Sequence, residues 1–286
     1  MDSNMVRRVA FAAIAIPLLV IIVWVGEWPL ALLLVAAAML GTRELFDLAA
    51  RAGVRPLRAL GIFLAMLVPL TLVAILEAPG FWLAQQWAYL LLLAILLVVA
   101  VATFTRTPEQ RPLASIAVTL FGIVYAAVLP SIAFVIRHGQ WDGRSWTGTA
   151  VLFFPLVVTW VCDSAAMFGG RMIGGPKLAP VISPGKTWVG AIAGVIMAAV
   201  VGGLYALLVF PRVRIPLGIA PAAALALVLA VIGQVGDLAE SLVKREAGVK
   251  DSSALIPGHG GVLDRLDSLY FVLPVAAAGY HYLGLL

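Results

Sequence analysis

The sequence predicts an all-α polytopic membrane protein of about nine transmembrane helices, with its N-terminus in the cytoplasm and its C-terminus outside. Three observations carry that expectation. Hydrophobic residues make up 63% of the 286 and charged residues only 12%, with a mean hydropathy of +1.08; an ordinary soluble domain is roughly half apolar and about a quarter charged. The apolar stretches run unbroken for about 20 residues, the length a helix needs to cross hydrocarbon, and do not alternate as lipid-facing strands of a barrel do. With the N-terminus inside, fifteen of the 19 Lys and Arg residues fall on the cytoplasmic side, and only Arg137, Arg144, Arg212 and Arg214 fall outside, the bias that sets topology.

The expected spans are residues 9–26, 28–48, 59–77, 85–104, 113–136, 148–168, 188–210, 217–238 and 265–285. The first follows Arg7 and Arg8 and has no small-x-small cleavage site before the next span, so it reads as a retained signal-anchor helix. The second ends in an amphipathic stretch whose Glu44 and Asp47 read as surface charges at the cytoplasmic end. Pro17, Pro69, Pro130 and Pro155 fall inside spans, where neighbouring groups can re-satisfy a kinked backbone. The ionisable and polar groups concentrate in the later spans and in two loops, 169–187 and 239–264, both on the cytoplasmic side. The chain therefore divides into an N-terminal scaffold and dimerisation half, 1–140, and a C-terminal catalytic half, 141–286.

Composition also excludes some classes. A sequence pI near 9.7 reflects topology and anionic headgroups in such a chain and does not point to nucleic acid. The single cysteine, Cys162, rules out an internal disulfide and a cysteine zinc site. No internal repeat is evident, which weighs against an inverted-repeat transporter. His138 and His281 lie on the outer side without chemical company.

The densest chemistry lies in residues 237–268, DLAESLVKREAGVKDSSALIPGHGGVLDRLDS. Asp237, Glu240, Ser241, Lys244 and Arg245 share one helix face by spacing. A salt-bridge ladder from Glu240 to Lys244 would explain part of that face. It would not explain the Gly-rich turn that follows, Pro257-Gly258-His259-Gly260-Gly261, whose glycines allow backbone N–H groups close to an anion. His259 is expected to hydrogen-bond a phosphate oxygen. Asp264 and Asp267, three apart, form a natural platform for Mg²⁺, which takes hard oxygen ligands and completes its shell with substrate phosphates. A helix cap would account for Asp264 alone, not for Asp237, Asp264 and Asp267 together with Arg265.

A second constellation runs from Asp163 to Trp188. Asp163 is an ionisable group in an apolar helix, which marks function by default. Arg171, Lys177 and Lys186 follow among glycines, as on a phosphate-binding surface. A Walker A loop is absent, because no glycine stands at the required place ahead of Gly185-Lys186-Thr187. Ser183-Pro184-Gly185-Lys186-Thr187-Trp188 reads as a turn that presents Lys186 at the start of the next helix.

The run Ser241-x-Val243-Lys244-Arg245 to Lys250-Asp251, then Ile256-Pro257-x-His259-Gly260-Gly261-Val262-x-Asp264-Arg265-Leu266-Asp267, resembles the signature of the CDP-diglyceride synthetases, the phosphatidate cytidylyltransferases. Ser183-Pro184-x-Lys186-Thr187-Trp188-x-Gly190 and the Asp163-Ser164 to Lys177 stretch are similar to blocks of the same family. The resemblance is specific over about 155–275. Ser252 and Ser253 depart from the aromatic residue and glycine frequent in the family, which bears on the local turn geometry.

The resemblance implies the reaction of CTP with phosphatidate to give CDP-diacylglycerol and pyrophosphate. It implies Mg²⁺, with potassium as the second ion, and a homodimer in the bacterial inner membrane whose site faces the cytoplasm. Asp237, Asp264 and Asp267 are then the expected metal ligands, and Lys186, Lys244 and Arg265 the groups that neutralise phosphate. Asp163, Arg171, Lys177, Ser183, Pro184, Thr187, Ser241, Arg245, Lys250, Asp251, His259, Gly260 and Gly261 complete the expected substrate contacts. Two rival expectations are a CTP-dependent transferase or kinase acting on an isoprenoid lipid, and a cation-coupled transporter using Asp163 and Asp237. The second would need polar groups along a path to both faces, whereas the polar density lies on one.

Overall fold

The computed structural model describes residues 3–77, 86–141, 143–255 and 260–286. A helix occupies each stretch where a span is expected: α1 (Ser3–Val25), α2 (Glu27–Arg51), α3 (Arg58–Glu77), α4 (Trp87–Thr105), α5 (Pro112–Ile123) continuing through a π-helical turn into α6 (Leu129–His138), α7 (Trp146–Ile173), α8 (Trp188–Leu208), α9 (Ile219–Glu246), and the pair α10 (Leu263–Leu266) and α11 (Leu269–Tyr282). The protein is thus an α-helical polytopic membrane protein. Among the described residues seven helices are long and apolar enough to cross a bilayer.

Of the expected spans, the last falls short of that length: α11 has 14 residues, about 21 Å of helix against a hydrocarbon core of about 30 Å. The last expected span, 265–285, is broken because α10 ends at Leu266 and the Asp267 carboxylate accepts the Ser268 N–H at 2.6 Å, turn chemistry that competes with helix continuation. Asp264 and Asp267 therefore do not share one helix face. The fifth expected span carries its π-helical turn at Val124–Val128, directly ahead of Pro130. A proline there has no N–H for the carbonyl four residues back, and the ladder widens.

By packing, the chain forms two compact units: Met1–Phe134 with Val243–Arg265, and Val135–Leu242 with Leu266–Leu286. They are not the two consecutive halves expected from the sequence. Segment 243–265 belongs with the N-terminal unit, because α2 receives hydrogen bonds from it.

In the first unit the C-terminal part of α2 is wedged by Phe46, which is fully buried. A Cβ on Gly61 of α3 or Gly122 of α5 would lie 2.6 or 2.5 Å from its ring, so the two missing side chains form the notch. Leu57 N–H donates to Thr119 Oγ1 at 2.9 Å, which ties the α2–α3 connection to α5. This rigid seat sets the direction of the α2 residues around Phe46.

In the second unit α7 and α8 meet along a seam of small residues. A Cβ on Gly190 or Gly194 would lie 2.5 or 2.8 Å from the carbonyls of Ala166 and Cys162; such close backbone approach is how helices pack without a hydrophobic drive in lipid. Phe154, Tyr205, Phe210 and Tyr280 form an aromatic cluster at the other end, with Phe154 stacked on Phe210 and edge-on to Tyr205. Gly236 of α9 touches the turn before α11, where an added Cβ would sit 2.8 Å from the Asp267 carbonyl. Replacing Gly236 by Ala is expected to destabilise the protein by about 1–3 kcal/mol, the usual cost of overpacking. A thermal melt in detergent measures it, and an unchanged midpoint would contradict the contact.

The expected turn at 183–188 is a strand. β1 (Lys177–Ala179) and β2 (Ser183–Thr187) form an antiparallel hairpin with Lys177 opposite Thr187 and Ala179 opposite Ser183.

Candidate active site

Two polar clusters stand in this apolar chain, one in each unit. In the second unit Lys186 is delivered by β2 and Asp237 by α9. Lys186 Nζ lies 2.7 Å from Asp237 Oδ2, and both side chains are about a quarter exposed. Asp163 of α7 is exposed and within electrostatic range of both Asp237 and Lys186. Two carboxylates thus flank one ammonium. Lys186 Nζ is itself a buried atom that makes no hydrogen bond in good geometry among the described residues. An ammonium has three N–H donors, so this one retains capacity for a further oxygen acceptor. Ser241 Oγ reaches Asp237 Oδ1 only weakly, at 3.4 Å. Gln234 braces the floor, donating to Ala191 O at 3.1 Å and to Cys162 Sγ at 3.5 Å. The hairpin keeps Lys186 in place because Trp188 N–H donates to Pro176 O at 3.0 Å.

In the first unit the buried residues are Lys244 and Asp264. Lys244 Nζ donates to Asp264 Oδ1 at 2.6 Å, and the side chains are 9% and 7% exposed. Asp264 Oδ2 accepts the N–H groups of Ser252 and Gly261 at 2.8 Å each, and lies 2.8 Å from Ser252 Oγ. Burial pushes the Asp264 carboxyl upward, but the bonds from Lys244, Gly261 and Ser252 together hold it below the usual carboxylate range. Gly260 has a φ of +80°, and a Cβ there would press on Asp264 Oδ2 at 2.7 Å. At Gly261 a Cβ would collide with Ser252 Oγ and with Glu44. Both positions admit glycine for reasons of space that their sequence reading as an anion turn did not include.

Several expected contacts take other roles. Thr187 is buried and caps α8, its Oγ1 accepting Gly190 N–H at 3.1 Å. It is therefore not available to a substrate as expected, because the helix start needs the acceptor. Arg245 Nη1 donates to Val249 O at 2.8 Å. Asp267 holds its turn, in the other unit from Asp264. Arg171, Lys177, Pro184, Lys250, Asp251 and Arg265 are exposed, and Ser183 is half-buried. His259 lies outside the described residues, with Ile256, Pro257 and Gly258. Among the described residues no three His, Cys, Asp or Glu side chains converge as a cation-holding group, and Asp237, Asp264 and Asp267 each have different partners.

Glu44 is what the sequence reading missed. Expected as a surface charge, it is 4% exposed. Its Oε1 accepts Ser253 Oγ–H at 2.7 Å and Val262 N–H at 3.1 Å, and its Oε2 accepts Leu263 N–H at 2.9 Å and Ser252 Oγ–H at 3.0 Å. One signal was present: Glu44 lies on the stripe of Gly41 and Leu48, both buried. Asp47 is a surface charge as expected, paired with Arg58 at 2.7 Å in the open.

Residues 6–283 match the cytidylyltransferase family. A phosphatidate cytidylyltransferase of Staphylococcus haemolyticus is 31% identical over 271 residues, 94% of this chain and 96% of the relative. The Haemophilus influenzae protein of that name is 38% identical over 194 residues, covering 66% and 65%. The Brucella suis one is 54% identical over 136 residues, and there the chain spans about half of the relative's length, 47%.

Proposed function

Since the chain belongs to the cytidylyltransferase family, we propose that it transfers cytidylate from CTP to phosphatidate, forming CDP-diacylglycerol and pyrophosphate. The observation that carries this reading is kinship along nearly the whole chain with a relative named for that reaction. The polar clusters supply its chemistry. A phosphate oxygen of phosphatidate bonds to the α-phosphorus of CTP. The bond from that phosphorus to the bridging oxygen breaks, and its electrons leave on pyrophosphate. The attacking oxygen is already an anion, so no strong base is required, and catalysis rests on positioning and charge stabilisation.

Lys186 has the donors for this. Its partner Asp237 is partly open, so exchanging the carboxylate for a phosphate oxygen costs little, as for exposed pairs generally. Arg171 and Lys177, exposed in the same unit as Lys186, would draw the anionic nucleotide and lipid headgroup. Asp163 and Asp237 provide paired hard oxygen donors and fit Mg²⁺ as its protein ligands. Bound there, the ion would neutralise charge on the phosphates. Lys244 and Asp264 are satisfied by one another and by backbone, which supports a role in holding the 251–263 loop.

The same reading extends to topology and assembly. A cytoplasmic N-terminus agrees with the Lys and Arg distribution and puts the charged loops on the cytoplasmic face of a bacterial inner membrane. The exposed apolar faces of α1, α3 and α4 suit lipid or a second copy in a homodimer.

The test is direct. Purified protein in detergent receives CTP, Mg²⁺ with or without potassium, and one of several lipids: phosphatidate, a polyprenyl phosphate or a polyprenol. CDP-diacylglycerol and pyrophosphate in equal amounts are expected with phosphatidate. Nucleotidyl or phosphoryl transfer to the isoprenoid lipids alone would overturn the reading.

A further inference from the structure

We propose that Glu44 is a positioning residue of the active site: a buried carboxylate on α2 that clamps the loop between Lys244 and Asp264. This rests on the proposed function, because the loop carries residues assigned to nucleotide and phosphate.

The geometry is complete at both oxygens. Each Glu44 oxygen takes one serine hydroxyl and one backbone N–H, from Ser253 with Val262 and from Ser252 with Leu263. A carboxylate is the only side chain that accepts four such bonds on two oxygens without presenting a donor. Leu263 is the first residue of α10, so Glu44 also serves two of the N–H groups that a helix start leaves without intrahelical partners, and its charge suits that end.

Asp264 closes the same loop from the other side, through Ser252 N–H and Gly261 N–H. The Ser252 hydroxyl lies 3.0 Å from Glu44 and 2.8 Å from Asp264. It has one proton for two acceptors, so this hydroxyl is shared between the two carboxylates and links them. Ser252 and Ser253 are the hydroxyls that bind the buried carboxylate on α2. Phe46, seated between Gly61 and Gly122, fixes the helix that aims Glu44.

Three variants test the clamp: Glu44→Gln, Glu44→Asp and Ser253→Ala. Glutamine keeps the shape but turns an NH₂ group toward donors. Turnover in Glu44→Gln is expected to fall more than tenfold, with partial recovery in Glu44→Asp and a smaller loss in Ser253→Ala. Hydrogen exchange should quicken at least tenfold at the amides of Ser252, Gly261, Val262 and Leu263, while α8 keeps its protection. Turnover within twofold of the parent, or faster exchange spread evenly through the chain with no recovery in Glu44→Asp, would overturn the proposal. Should the parent protein make no CDP-diacylglycerol, the proposed function fails separately, and loop exchange alone then decides the clamp.

Discussion

Replacing Asp264 by Asn is expected to abolish CDP-diacylglycerol synthesis and also to weaken the fold. The Lys244–Asp264 pair is nearly sealed. Removing the Asp264 charge unbalances a buried ammonium, and breaking such a pair costs up to about 3–5 kcal/mol. Asparagine can still accept one or two of the N–H bonds, but it neither balances Lys244 nor matches Gly261 and Ser252 at one oxygen. The melt and the assay should therefore fall together. The pH dependence has a definite sign. The folded Asp264 carboxyl lies below its usual range, so its contribution is present above the unfolded value of about 4. That contribution is lost as pH falls through the folded value, and the Asn variant should lack this acid-sensitive part. Normal turnover in the variant would remove Asp264 from the active site.

Replacing Lys186 by Met should have the opposite signature. Methionine retains much of the aliphatic stem that packs beside the hairpin and deletes the ammonium. The pair with Asp237 is about a quarter exposed, less sealed than Lys244–Asp264, so its loss should cost the fold less. Turnover is expected to fall about 10²–10³-fold, the loss typical of one donor that stabilises developing charge, with a melting point close to the parent's. A steady-state assay beside a thermal melt checks both. A fall in stability as large as that of Asp264→Asn, with turnover retained per folded molecule, would make Lys186 structural.

The contrast between the two lysines was not legible in the sequence. Both precede or follow apolar helices, and both have an aspartate that could pair with them. Lys186 and Asp237 lie 51 positions apart, and nothing local selects Asp237 over Asp163 or Asp264. Glu44 shows the limit more sharply, since its partners Ser252 and Ser253 lie 208 and 209 positions away. Read locally, a glutamate near the end of an amphipathic helix is a surface charge, and the same reading was right for Asp47. Thr187 was legible as a polar residue before a helix, yet its N-cap role became clear only when β2 and α8 were in place.

What the sequence by itself determined is the class of protein and the location of its helices. The reason is that a bilayer acts as a solvent: each span must satisfy its own backbone and present apolar side chains, so about 20 residues of local pattern identify it without reference to any partner. The tertiary structure decided which charges meet, which glycines make room and which carboxylate is buried. Charge pairing depends on distance in space, and a lysine carries no mark in its own neighbourhood of which aspartate will reach it. Packing alone separated Lys186, a quarter exposed beside Asp237, from Lys244, nearly sealed under Asp264.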